Sequence, residues 1–478
     1  MPLWLATRAT FCNELRLLLR DPFCVALLAC FSAGLAWASW NSHRHWQDFS
    51  IQQSERQSSA REKWLSQFTT NAHMATHVGQ TVYKPISPLA DFDPGAVSNF
   101  GSSIFLQSHR QSAAKNNPRE DKVDLLQNEA YSPAVLLELI GPLLIIVLGV
   151  ASIARDKEAG TLSILLTTGS RWPAVVTGKG LAVLLALLVV AAPGLLLLAF
   201  PWFGSNRLLQ PPDLVIRETA IIVALAAYYV GWLGVTIFVS SKSRSMTGGF
   251  SILIAVWSVF ALVMPRIAGD VATFVSPLPT NAEIRLEKEN VVHDANQSSV
   301  QRAQASRALE ARLLEEFQVE RIEDLPIDLA GAKMIDQEAN ANRLYDEVDQ
   351  RVTQAKHRQN ELIGGFQFAS PYMAMRAVST SLAATDRSHH FDFVNAAETH
   401  RRQFVKDLNV AEMKKLKPGS SPAERRQFWG QVSEFLPGFV SAMESVKRSL
   451  AALICLIIWA IVASVASVLA APKINRMR

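Results

Sequence analysis

Two histidines, His73 and His77, stand four residues apart, the spacing at which one face of a helix presents two imidazoles to a single metal ion. All ten histidines of the chain fall in two long polar stretches, 41–132 and 268–446. Two ligands without a third make a weak metal site. The pattern therefore favours polar surface histidines and predicts no metal on this chain, although a metal-binding role stays open.

The chain shows no recognisable means of hydrolysing ATP. The nearest approach to a phosphate-binding loop is Gly178-Lys179-Gly180, but Pro173 stands where the first glycine of such a loop belongs and no Ser or Thr follows the lysine. The sequence also contains no His-Glu-x-x-His metalloprotease motif and no Gly-x-Ser-x-Gly nucleophile elbow. We therefore expect a non-catalytic chain that carries no cofactor of its own.

The segment 155–179 joins a charged start to a short apolar stretch. Leu162, Leu165 and Leu166 fall on one side of a short helix that Gly169 would end. Burial of each leucine in a partner contributes at most about 1.5 to 3 kcal/mol before the costs of association. The segment is therefore predicted to be a docking element for another protein.

Six uncharged or nearly uncharged apolar runs must position these residues. A helix rises about 1.5 Å per residue, so each run crosses roughly 30 Å of hydrocarbon with its backbone amides bonded internally. Six such runs exclude an ordinary soluble protein and predict an all-α membrane protein with six transmembrane helices in a lipid bilayer. The runs, TM1 to TM6 in chain order, are 23–40, 133–154, 180–203, 219–239, 248–267 and 450–471.

Charge predicts the orientation of these spans. The segments 1–22, 155–179, 240–247 and 472–478 together carry 12 basic and four acidic side chains. By the positive-inside rule these segments are cytoplasmic, and both termini therefore face the cytoplasm. The net charge of +5 then reflects topology, and no nucleic-acid partner is predicted.

The first 22 residues are predicted to form an amphipathic helix in the cytoplasmic interface of the membrane. Trp4, Phe11, Leu15 and Leu18 recur at helical spacing and would form its apolar side. A cleaved signal peptide is the alternative, but the long and partly acidic start favours an uncleaved helix.

Two large regions, 41–132 and 268–446, are predicted to be extracytoplasmic and mainly helical insertions. The first continues TM1 into water along Ser50 to Phe68, and the second contains a helical hairpin over 282–317 and 333–362. Neither region shows an alternation of polar and apolar residues strong enough to predict a sheet. All four cysteines lie elsewhere, so no disulfide is expected in either region.

Glu138 is the one charge well inside a predicted span, four residues from its outer end. A carboxylate at the membrane centre costs about 3 kcal/mol or more. The favoured interpretation is a side chain that reaches water at the outer end of TM2. The alternative is a gate or substrate path, to which Pro265 and Arg266 near the outer end of TM5 would also belong.

The segment 155–179 resembles the coupling loop of ABC-2-type ABC transporter permeases. The family pattern runs Glu, Gly-Thr-Leu, Leu-Leu, Ser-Arg and Gly-Lys ahead of the next span. The resemblance implies that the matching residues dock an ATPase subunit. These residues are Glu158, Gly160, Thr161, Leu162, Leu165, Leu166, Ser170, Arg171, Gly178 and Lys179.

A second likeness points to a subgroup of these permeases with large extracytoplasmic insertions after the first and fifth spans. It is carried by Ser370-Pro371, Leu382, Thr385-Asp386, His390, Phe393, Glu398 and Arg401, together with Pro265-Arg266. From the residues themselves, Ser370-Pro371 and Asp386 are each expected to begin a helix.

The resemblance implies one permease subunit of an ATP-driven exporter in the bacterial inner membrane. It also implies a second permease subunit, identical or related, and a separate ATPase subunit that binds ATP and Mg. Two alternatives stay open at this point. One is a membrane-anchored extracytoplasmic receptor or structural protein, and the other is a permease that supplies a factor for metalloenzyme maturation.

Overall fold

A computed structural model of the chain describes residues 2–95, 97, 100–109, 132–199, 211–297, 299–436 and 438–471. The predicted tail 472–478, part of the 41–132 region and the last residues of TM3 lie outside the described residues. Helices dominate the described part. In chain order its helices and strands are α1 (Leu3–Arg20), α2 (Pro22–Leu65), α3 (Ala72–Val78), β1 (Gln80–Tyr83), β2 (Ser103–Leu106), α4 (Pro133–Glu158), α5 (Thr161–Thr167), α6 (Trp172–Ala199), α7 (Pro211–Lys242), α8 (Met246–Ser258), α9 (Met264–Val275), α10 (Asn281–Gln297), α11 (Ser299–Glu316), α12 (Leu329–Gly365), α13 (Pro371–Leu382), α14 (Arg387–Met413), α15 (Pro422–Gly430) and α16 (Ala442–Leu469).

Six helices of the described chain are long and apolar enough to cross a membrane, which confirms the predicted all-α membrane fold. These helices are longer than the apolar runs in the sequence, because a helix ends at its capping residues and not where the hydropathy changes. The hydroxyl of Ser132, for example, accepts the Val135 N–H at the start of α4. The spanning helices are Pro22–Leu65, Pro133–Glu158, Trp172–Leu196, Pro212–Lys242, Met246–Val275 and Ala442–Leu469.

Helix α2 runs unbroken for 44 residues, which confirms that TM1 continues beyond its apolar part. The carboxylate of Asp21 caps its start by accepting the N–H groups of Phe23 and Cys24. The far end packs Trp64 among Trp429 and Phe404, and the Trp64 indole donates to the Trp429 carbonyl at 3.0 Å. Helix α2 therefore links the spans directly to the polar region formed by the described parts of 41–132 and 268–446, which we call the outer region.

Helix α1 forms as predicted and packs against α6. Leu18 is buried, and Phe11 and Leu15 are partly buried against the core of the spans. Trp4, expected on the same apolar side, is exposed, and Glu14 is fully buried instead. Trp4 lines one groove with Phe11 against α6, and Glu14 is buried because Lys179 pairs with it inside the fold.

Among the described spans, α7 and α16 pack most extensively against each other. An added Cβ at Gly234 would lie 2.6 Å from the Ala463 carbonyl carbon, and one at Gly231 would lie 2.2 Å from the Trp459 ring. Small residues such as Gly234 and Ala463 permit this approach. On TM1, by contrast, Gly34 has nothing within 4 Å of an added Cβ.

TM5 consists of α8, a π-helical turn at Val259–Val263 and α9, and Pro265 lies directly after the turn. The wider turn leaves backbone carbonyls available, and the Ser370 hydroxyl donates to the Phe260 carbonyl at 2.8 Å. The same hydroxyl accepts the Met373 N–H at the start of α13. This confirms Ser370 as a helix cap and shows that it also ties α13 to TM5.

The outer region contains the predicted helical hairpin, formed by α10 and α11 against α12. Leu309 and Leu313 are buried beside Leu325 and Ala332. The region also contains a small sheet that the sequence did not predict, in which β1 and β2 pair antiparallel with Gln80 opposite Leu106 and Tyr83 opposite Ser103. Each strand has only four residues, too few for a clear alternation.

Candidate functional site

Helix α5 is a two-turn helix between TM2 and TM3. Gly160 has a φ of +74° and Gly169 a φ of +102°, so each end is a left-handed turn that favours glycine. The Thr161 hydroxyl lies 3.1 Å from both the backbone and the side-chain oxygen of Asp156, which fixes the entry to the helix. The Ser170 N–H donates to the Leu165 carbonyl at 3.2 Å and closes its exit. We call α5 and the connections on either side of it, residues 155–171, the loop face.

The leucines predicted to contact a partner face inward. Leu162 is 3% exposed and belongs to the core of the spans, and Leu165 and Leu166 pack half-buried against the same core. Ile164 points the other way and is 62% exposed. The helical periodicity located the apolar side correctly, but the chain itself covers that side. Ile164 is the large apolar side chain of α5 that stays most open at the surface.

Two charged residues fasten the loop face to the connection between α7 and α8. The Lys157 ammonium donates to the carbonyls of Ser241 and Ser243 at 2.8 and 2.6 Å. The Glu158 carboxylate accepts the Met246 N–H at the start of α8, at 2.7 Å. Glu158 is thus placed by a contact within the chain, and it joins TM2 to TM5.

Gly178 and Lys179 lie inside the fold, where the chain itself covers both residues. The Lys179 ammonium binds the carboxylate of the buried Glu14, the carboxylate of Asp156 at 2.8 Å and the Ser152 carbonyl at 3.0 Å. An added Cβ at Gly178 would lie 2.7 Å from the Thr7 carbonyl oxygen of α1. These residues lock α1, α4 and α6 together.

The remaining matched residues stay at the surface. Arg171 is exposed and Ser170 is half-buried. Next to them, the Trp172 indole donates to the Ser467 carbonyl near the end of α16, at 3.1 Å. The loop face therefore lies where α4, α7 and α16 end and where α6 and α8 begin.

Glu138 is fully buried, so the expectation that its side chain reaches water is wrong. Its carboxylate lies 2.9 Å from the guanidinium of Arg376 on α13, and the same guanidinium lies 3.1 Å from the carboxylate of Asp93. The Ser379 hydroxyl donates to Asp93. We call Asp93, Glu138 and Arg376 the buried charge cluster. The cluster connects TM2 to both parts of the outer region, through Asp93 in the first and Arg376 in the second.

Pro142 explains why two tyrosines of TM4 donate hydrogen bonds to the backbone of TM2 near Glu138. A proline removes the bond to the carbonyl four residues earlier, here that of Glu138. The hydroxyl of Tyr228 donates to that carbonyl at 2.9 Å, and the hydroxyl of Tyr229 donates to the Leu137 carbonyl at 2.9 Å. TM4 thus satisfies the backbone that the proline leaves open.

Pro265 and Arg266 do not join the buried charge cluster. The Arg266 side chain is 82% exposed and pairs with Asp270, one turn further along α9, at 3.2 Å. A shared gate or substrate path with Glu138 is not supported by this geometry.

His73 and His77 acquire a third neighbour in the described structure, His109. One ring nitrogen from each lies within 4.8 Å of the other two. We call these three residues the histidine cluster. Nothing local in the sequence reveals the third member, since 32 residues separate it from His77 and a sheet that was not predicted brings it close.

Electrostatics around the histidine cluster differ between its members. Burial, together with the neighbouring His73 and His109, lowers the pKa of His77. For Glu338, burial raises the pKa, but hydrogen bonds from His109 and Arg401 outweigh it and lower the pKa to about 2. The carboxylate is therefore ionised, and His77 is neutral, at ordinary pH.

Arg376, Asp93 and Ile164 are functional candidates that the sequence reasoning did not identify. Glu138 signalled a missing cation, but the partner lies 238 residues away along the chain. Ile164 belonged to the predicted helix and was assigned to no face. Only the packing of α5 on the spans distinguishes it from the leucines.

Comparison with known proteins identifies one matching family model, described as Domain of unknown function (DUF3526), over residues 285–436. No curated protein and no solved structure matches the chain. The matched region starts within α10 and extends past α15, so it includes Arg376, Glu338 and Arg401 and none of the six spans. The chain is thus similar to that family across roughly a third of its length.

Proposed function

We propose that this chain is the membrane subunit of an ATP-driven exporter of the ABC-2 type. Hydrolysis of ATP, with Mg, takes place on a separate ATPase subunit that docks on the loop face. The attachment of α5 carries the proposal. This short helix joins α4 to α6, and Lys157 and Glu158 at the end of α4 fasten its entry to the α7–α8 connection.

Rigid attachment matters because a docking helix transmits force only if it cannot move alone. Asp156 and Lys179 connect α4 to α6, and Glu14 extends the connection to α1. Displacement of α5 by a partner therefore displaces several spans together. A receptor that only binds a ligand outside the membrane has no need of this arrangement.

The proposal includes a second permease subunit, identical or related, in the same membrane. The exposed stripe of Ala26, Cys30 and Gly34 on TM1 supports it, because small residues allow close contact between spans. The excess of basic residues in the segments next to the loop face supports a cytoplasmic location for that face and for both termini of the chain. A bacterial inner membrane is the proposed location.

Substitution of Ile164 by aspartate tests the docking site. Full burial of an isoleucine contributes about 1.5 to 3 kcal/mol. Since Ile164 is 62% exposed, its contribution to docking is about 1 to 2 kcal/mol, and aspartate adds a desolvation penalty. We expect I164D to insert and fold normally but to lose co-purification of an ABC ATPase and its ATP hydrolysis.

Ile322→Asp is the matched control, because it makes the same exchange at an exposed isoleucine of the outer region. It should retain the ATPase subunit. Full ATPase binding and activity in I164D would contradict docking on α5. Absence of any ATPase from the complex isolated with the unaltered chain would favour the receptor function.

A further inference from the structure

The local fold brings His73, His77 and His109 together. Asn71 caps α3, which places His73 and His77 one turn apart. Gly79 has a φ of +68°, and an added Cβ there would lie 2.5 Å from the Leu106 carbonyl oxygen. This tight turn lets β1 reverse beside α3, and the pairing of β1 with β2 returns the chain so that the Ser108 N–H donates to the Thr76 carbonyl at 3.2 Å.

His109 completes the cluster in a left-handed backbone conformation, with a φ of +55°. Non-glycine residues seldom adopt this conformation, and functional sites are one place where it occurs. The ring centres lie 5.1 Å apart for His73 and His77, 6.0 Å for His73 and His109, and 5.5 Å for His77 and His109. His77 and His109 are exposed and His73 is half-buried, so the cluster is open to solvent.

Each imidazole has an oxygen beside its Nδ1 atom. The distances are 2.8 Å from His73 to the side-chain oxygen of Asn409, 3.3 Å from His77 to the Ser108 hydroxyl and 2.9 Å from His109 to the Glu338 carboxylate. An oxygen that accepts the Nδ1–H leaves Nε2 unprotonated and able to bind a metal. Metal-binding histidines are usually held in this way.

Glu338 is itself firmly positioned. Its carboxylate accepts from the buried Arg401 guanidinium at 2.9 Å and from the His109 backbone N–H at 3.2 Å. Arg401 in turn binds Glu398. The three histidines precede the matched family region, whereas Glu338, Arg401 and Asn409 lie within it. Glu398 and Arg401, which belong to the second resemblance described for the sequence, thus hold Glu338 in place beside His109.

We propose that His73, His77 and His109 bind one divalent transition-metal ion of the zinc and copper class and leave one coordination position open to solvent. Imidazole nitrogen suits these ions and does not suit magnesium or calcium. Zinc–nitrogen bonds of 2.0 to 2.1 Å place tetrahedral ligands about 3.3 Å apart, so small side-chain rotations from the present separation close the site. The site is independent of the proposed transport function, because binding is measured on the isolated chain.

The test uses the full-length chain in detergent, purified through a tag that contains no histidine and freed of metal by a chelator. Zinc binding is followed by titration and by metal analysis after dialysis, and cobalt by its visible absorption. We expect one ion per chain. His109→Asn, which tolerates the left-handed backbone, and His77→Ala should each abolish this site. Glu338→Gln should weaken it by about 10- to 100-fold.

His357→Ala is the control, because it removes an exposed histidine of α12 outside the cluster. It should bind zinc as the unaltered chain does. Size-exclusion profiles and circular dichroism establish that each variant is folded. The proposal is overturned if the unaltered chain binds no stoichiometric zinc, if H109N keeps full affinity, or if H357A loses as much affinity as H109N.

Discussion

Replacement of Arg376 by methionine should destabilise the protein severely. The exchange removes the positive charge and keeps most of the apolar stem. It leaves Glu138 and Asp93, both fully buried, without their shared cation. Removing one partner of a buried ion pair costs about 3 to 5 kcal/mol, and here two carboxylates lose their partner at once.

Glu138→Gln should be much milder, because Arg376 keeps Asp93 at 3.1 Å. The lost charge-assisted hydrogen bond costs about 1.5 to 3 kcal/mol. In the double variant R376M/E138Q only one buried carboxylate remains unpaired. The combined loss should therefore be smaller than the sum of the two single losses, by about 0.5 to 3 kcal/mol.

Thermal unfolding of the detergent-solubilised chain, followed by tryptophan fluorescence, measures these effects as a thermodynamic cycle. R376M should unfold at the lowest temperature, and E138Q at a temperature between those of R376M and the unaltered chain. Additive losses, or an R376M variant as stable as the unaltered chain, would refute the claim that this arginine neutralises two buried carboxylates.

The remaining predictions concern one buried histidine and one close helix contact. Burial and nearby lysines lower the pKa of His390 to about 3, so between pH 6.5 and 3 the unfolded chain takes up a proton that the folded chain does not. The free energy of unfolding therefore decreases as the pH is lowered, by about 2 kcal/mol at pH 5 relative to neutral pH. His390→Phe should remove the share of this decrease that His390 causes, when unfolding is compared at pH 7.5 and 5. An equal pH dependence in both proteins would contradict this. Gly231→Ala should destabilise the protein by about 1 to 3 kcal/mol, because its Cβ would lie 2.2 Å from the Trp459 ring. Gly269→Ala, where nothing lies within 4 Å, should be neutral or stabilising in the same thermal measurement, and similar behaviour of both variants would count against the contact.

The spans and the helical hairpin were predictable because a long apolar run or a sustained helical period is a local signal. Helix caps such as Ser370 and Asp386 were predictable for the same reason. The inward direction of Leu162 was not, since periodicity groups residues on a face without saying what covers it. The partners of Glu138 and the third histidine were also hidden, because tertiary packing alone joins positions so distant along the chain.

The length of helix α2 determines how far its end in the outer region moves when the helix tilts. At 1.5 Å per residue its 44 residues extend for about 66 Å, from the Asp21 cap beside the loop face to Trp64 in the outer region. A rigid rod of that length, tilted by 5° about its Asp21 end, carries its Trp64 end through about 6 Å. A tilt that is small at the Asp21 end thus becomes, close to the histidine cluster, a displacement about as large as the spacing of 5.1 to 6.0 Å between its imidazole rings.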